Sequence, residues 1–161
     1  MVNILRYFCI SCVLAFVCLH TANAQPISLC FTDNYITAEL TLGFTDSVIA
    51  SDLSVWTGVF GTTDLDVCFV DHPLPGSVDI ILEKTPLLAD ATIYITDNLI
   101  LADKTISITS NIAIADYIIG IWPNPTSFTK DIYIKDIEPN KLSIKYKIAI
   151  LYCLGLIREK E

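Results

Sequence analysis

Cys68, Asp71 and His72 stand within five positions of one another and form the most chemically suggestive cluster in this sequence of 161 residues. A thiol near an imidazole is the pairing from which a cysteine nucleophile or half of a metal site is built. The pairing has nothing to complete it, because His72 is the single histidine beyond the first two dozen residues. It is also flanked by Asp71, Pro73, Pro75 and Gly76, the composition of a turn. Asp64, Asp66, Asp71 and Asp79 offer hard oxygen donors of the kind that hold calcium, but without the spacing of a calcium loop. They read as solvated loop carboxylates.

No Gly-x-Ser-x-Gly setting surrounds any serine, and no glycine-rich loop is present to cradle a phosphate. No catalytic, cofactor-binding or metal-ligating residue is therefore assigned, and no cofactor is expected. Four side chains are candidates for an interaction surface instead: His72, Trp122, Lys145 and Lys147. Aromatic side chains supply much of the energy at interfaces. The irregular stretches 71–76 and 122–130, together with the basic C-terminal stretch, are the expected places of recognition.

Residues 1–24 read as a secretory signal peptide, with Arg6, an apolar run over 7–19 and a small-x-small site at Ala22, Asn23 and Ala24. The apolar run falls short of the roughly 20 residues that a spanning helix needs. Residues 25–161 then form one domain, secreted or otherwise extracytoplasmic, with no membrane span after cleavage. In that oxidising setting a disulfide between Cys30 and Cys68 is expected, contributing about 3–4 kcal/mol by restricting the unfolded chain. Cys153 is left over.

The formal net charge is −8, and it is unevenly spread. Residues 25–129 carry thirteen acids against Lys84 and Lys104 alone, whereas residues 130–161 carry seven bases and five acids. An anionic body of this kind repels phosphate backbones, so nucleic acid is excluded as a partner. A protein partner or a second copy of the chain is the expected ligand.

The organisation that must position these residues is a repeat. TIYITDNLILAD over 92–103 returns as TISITSNIAIAD over 105–116, thirteen residues later. The same step links Val67/Phe69, Ile80/Leu82, Ile93/Ile95, Ile106/Ile108, Ile119/Ile121 and Ile132/Ile134. β-Branched residues dominate and strand-like runs recur every 8 to 14 residues, which predicts an all-β domain. The expected architecture is an antiparallel β-sandwich of about 8–10 short strands, each repeat a hairpin turning at Asp97-Asn98 or Ser110-Asn111. The alternative is a short β-solenoid with coils of about thirteen residues, which would stack Asn98, Asn111 and Asn124 in a ladder and press Asp90, Asp103 and Asp116 together.

The alternation of Leu142, Ile144, Tyr146 and Ile148 predicts a last strand over 142–152 that runs on, fully apolar, to Ile157. Such a strand left open invites pairing. The function expected from the sequence is that of a secreted, non-enzymatic β-domain acting by protein binding or self-assembly through a strand edge. The alternative is an extracellular carboxylate-dependent hydrolase acting on carbohydrate.

Overall fold

A computed structural model describes residues 26–59 and 62–157. Nine strands run β1 (Ile27–Phe31), β2 (Leu40–Thr45), β3 (Leu53–Gly58), β4 (Leu65–Val70), β5 (Val78–Leu82), β6 (Ala91–Thr96), β7 (Lys104–Ile108), β8 (Tyr117–Trp122) and β9 (Lys130–Ile134). A helix, α1 (Ile144–Cys153), follows them. The expected signal peptide lies outside the described residues.

All nine strands are parallel, and they close into one barrel in the order β1-β5-β9-β4-β8-β3-β7-β2-β6. The chain therefore skips one strand at every step and goes round the barrel twice, the second circuit filling the gaps left by the first. Pairs such as Ile27↔Ile80 and Leu40↔Ile93 lie on one side of a strand, and Leu29↔Ala91 and Leu42↔Lys104 on the other. This overturns the antiparallel sandwich: no hairpin joins consecutive strands. It overturns the solenoid as well, since units thirteen residues apart are separated by an intervening strand and never stack. Asn98 and Asn111 follow β6 and β7, which flank β2, and so form no ladder.

The thirteen-residue period has a different meaning. Each unit is one strand and one crossover, and the second half of the doubled motif is the crossover. In the connectors after β6 and β7, a threonine hydroxyl accepts the N–H of the asparagine two residues on. These are Thr96 for Asn98, at 3.0 Å, and Thr109 for Asn111, at 3.1 Å. The asparagine oxygen then accepts from Ile100 and Ala113. Such local side-chain bonds draw the backbone away from strand geometry and into a tight turn. The 3-10 segment Ile112–Ile114 is made this way and Pro86–Leu88 with proline at the first helical position, while Val48–Ala50 keeps only the first of the two bonds, Ser47 N donating to Thr45 Oγ1 at 3.1 Å.

The aspartates before the strands have equally specific work. Asp116 Oδ2 accepts from the Ser54 backbone at 2.8 Å and from its hydroxyl at 2.6 Å, while Asp103 accepts from Thr41 N and Asp90 from Ser28. Glu39, Asp52 and Asp64 do the same for Thr92, Thr105 and Ile118. Each carboxylate precedes one strand and accepts from the N–H of the second residue of the neighbouring one. Asp90, Asp103 and Asp116 thus lie on three non-adjacent strands, and the crowding of charge that a solenoid implied does not arise.

Inside the barrel, Leu29, Leu42, Val55, Val67, Ile80, Ile93, Ile106, Ile119 and Ile132 occupy the same position on the nine strands and are all buried. They surround α1. From Ile148 to Leu154 every residue of the helix and its cap is buried, whichever face it lies on. A helix that is apolar all round belongs in a core, and its width of about 10–12 Å suits the bore of a nine-stranded barrel.

The expected last strand is therefore a helix. Alternation over 142–148 suggested a strand, but Ser143 at the N-cap and Gly155 are the residues of a helix start and stop. Gly155 has φ +64, and Leu156 N donates to Leu151 O while Gly155 N donates to Tyr152 O. That is the pair of bonds with which a left-handed residue closes a helix.

The three described cysteines are free thiols, so the expected Cys30–Cys68 disulfide is not formed. Both side chains lie on the outer face, on β1 and β4, with β5 and β9 between them. Three strand spacings, about 14 Å, exceed the reach of a disulfide, whose Cα atoms must approach within about 7 Å.

Candidate functional site

At the C-terminal ends of the strands the barrel has a rim, and the mouth is closed by the first turn of α1. Lys145 Nζ reaches Asp97 Oδ1 at 2.7 Å and lies 5.7 Å from the centre of the Phe44 ring. Lys147 Nζ lies 5.3 Å from the Phe69 ring, and burial pushes its ammonium below the ordinary lysine range. Tyr146 meets Phe31 edge to face, with centroids 4.6 Å apart. The two lysines keep apolar stems in the barrel and charged heads at its mouth. They are the seal of the core.

Beside this seal, over the end of β4, lies a cleft of about 470 Å³. Its walls are three irregular segments: Asp71 and His72 after β4, Pro123, Asn124 and Pro125 after β8, and Glu138, Pro139 and Asn140 before α1. Its floor is Cys68, Phe69 and Val70. β4 and β8 are neighbours in the barrel, which is why turns more than fifty residues apart share one wall.

His72 Nδ1 lies 2.5 Å from Asp71 Oδ1, with both side chains largely exposed. The hydrogen bond with His72 holds the Asp71 carboxyl below its usual range. Glu138 pairs with Lys141 Nζ at 2.9 Å. Burial pushes the Cys68 thiol up, and the charge of Asp131 adds to the shift, so this sulfur is a poor nucleophile. The polar side chains that line the cleft are Asp71, His72, Asn124, Glu138 and Asn140.

Of the sequence candidates, His72 lines the cleft and Trp122 stands at its edge, next to Pro123. The Trp122 indole donates to Asp66 Oδ1 at 2.7 Å and packs edge-on against Phe128, 5.2 Å between centroids. Lys145 and Lys147 lie at the mouth, with Phe69 shared between Lys147 and the cleft floor. Cys30 is remote from it, on β1. The sequence reading named the 122–130 stretch that holds Asn124 but did not single out that side chain, and it passed over Glu138 and Asn140. Their signal was proline, since the segments after β4 and β8 carry Pro73/Pro75 and Pro123/Pro125, where those after β1, β6 and β7 carry a threonine-x-asparagine turn.

The four aspartates considered for calcium are scattered: Asp64 serves Ile118, Asp66 serves Trp122, Asp79 serves Ser77 and Asp71 serves His72. Among the described residues no cluster of three or more His, Cys, Asp or Glu is arranged to hold a metal ion. None of the described helices is long and apolar enough to cross a membrane. No protein-family model, no curated protein and no solved structure matches the chain.

Proposed function

We propose that the protein is a secreted, non-enzymatic binding domain that receives a segment of a protein partner in the rim cleft. One observation carries this reading: the two connectors that hold paired prolines, Pro73/Pro75 after β4 and Pro123/Pro125 after β8, converge on the same concavity. A barrel that needed only to fold could use the threonine-asparagine turn at both places. The volume of the cleft falls within the range of ligand pockets, roughly 300–1,000 Å³. Asp71 and Glu138 favour a basic side chain, and the Asn124 and Asn140 amides suit a peptide backbone. Recognition at a strand edge is set aside in this reading, because every described strand already has two hydrogen-bonded neighbours.

The hydrolase reading has less to stand on, because Asp71 is shifted away from the raised carboxyl pKa that a general acid requires. A photo-crosslinking residue at position 124 of the full chain tests the proposal against a control at the exposed position 62, before β4 and so at the other end of the strand. Crosslinks to one protein species from 124 and not from 62 are expected. Turnover of a polysaccharide panel that is lost in an Asp71→Asn, Glu138→Gln variant would replace the binding reading with the enzymatic one.

A further inference from the structure

The connectors cross the outside of the barrel, and on one arc they expose aliphatic side chains at a repeated position. The connector after β5 passes over β1, that after β1 over β6, that after β6 over β2, that after β2 over β7 and that after β7 over β3. Contacts fix three of these crossings. Ser28 Oγ donates to Leu88 O, Thr92 Oγ1 to Thr37 O, and Ser54 Oγ to Ile114 O. A fourth follows from Gly43, where an added Cβ would lie 2.8 Å from that of Ala102. Five neighbouring connectors therefore lie side by side as an outer shell.

Their tips are Leu87, Ile36, Ile100, Ile49 and Ile114. Ile49 is 100% exposed, Leu87 97%, Ile100 93% and Ile36 75%. The first four share one position in the thirteen-residue unit, ten residues after the residue that precedes the strand. Packing does not call for them there: the neighbouring Leu99 and Ala102 face the barrel, whereas Ile100 faces away. Isolated exposed aliphatics are ordinary, but a contiguous band of them on adjacent elements marks an interaction surface.

The charge around this band selects the partner. Above it stand Asp33, Asp46 and Asp97, of which Asp97 is paired with Lys145, and below it runs the row of strand-capping carboxylates. Lys84 is the one base in these five connectors. We propose that this arc is a second docking surface, distinct from the cleft, for a protein segment with an aliphatic stripe bordered by Lys or Arg on both sides. Anionic lipid is disfavoured by the same carboxylates, and a second copy of the chain would bring acid against acid.

Titration with two synthetic amphipathic helices tests this. Both share one leucine face, flanked by lysines in the first peptide and by glutamates in the second. The full chain is expected to bind the lysine peptide saturably, one to one, and to leave the glutamate peptide unbound. An Ile49→Ser, Ile100→Ser double variant, whose changes lie at exposed tips, is expected to bind at least tenfold more weakly with an unaltered circular dichroism spectrum. Asp71→Asn, Glu138→Gln in the cleft is expected to leave this binding intact. Equal binding of both peptides, undiminished binding by the double variant, or concentration-dependent dimerisation through this arc would overturn the proposal.

Discussion

The two sides of the barrel obey different rules on the outside and the same rule on the inside. Over β1, β6, β2, β7 and β3 the connectors are near-copies of one another, convex and tipped with aliphatics. Towards β8 and β4 they are proline-rich and border a concave, polar cleft. Yet Ile93 on the first side and Ile132 on the second are equally buried against α1. The lesson is that the inward positions define the barrel, and the outer shell is free to vary once they are met.

The sharpest way to break this comparison is to cut the same hole on both sides. Ile93→Ala and Ile132→Ala should each destabilise by about 2–5 kcal/mol, as expected for truncating a buried isoleucine, when measured by urea unfolding. A much smaller loss at Ile132 would mean that the core is not continuous beneath the cleft.

A smaller effect separates the carboxylates. Asp116→Ala removes the acceptor for Ser54 N and Oγ and should cost about 1–3 kcal/mol. Asp71→Ala, at a largely exposed site, should leave the urea midpoint unchanged while weakening partner binding. Comparable losses would dissolve the distinction between structural and recognition acids.

Alkaline pH probes the shared interior. Burial, reinforced by the charge of Glu39, pushes the Cys153 thiol up from 9.0 to about 12. The unfolded chain then releases its proton first, so stability is full below pH 9 and falls as pH rises towards 12, by up to about 1.4 kcal/mol per unit. Lys147 opposes this, because its lowered pKa makes folding easier as pH climbs towards 10.5. Cys153→Ala should flatten the decline; an unchanged profile would assign it to other groups.

Much of the interior was legible. The thirteen-residue step from Val67 to Ile134 does mark inward-facing positions. The pairing was not legible, because paired residues lie 53 or 54, or 62 or 63, positions apart, and a period of thirteen announces neither spacing. Leu99 and Leu101 alternate like a strand but belong to a turn built by Asn98. The central helix was hidden for a related reason: a segment buried on all sides has no polar stripe, so its period is silent and only Ser143 and Gly155 mark its ends. Nothing local in the sequence could have shown that the segments after β4 and β8 face one another, since that follows from the strand order alone.

The strand order also has a consequence in time. β1 pairs with β5 and β6, and β2 with β6 and β7, so the first four strands are made before any of their partners exist. Contacts this distant in sequence make for slow folding. The helix that fills the bore comes after all nine strands. The nascent chain must therefore carry four strands, nearly half its length, with every edge open until the fifth is made.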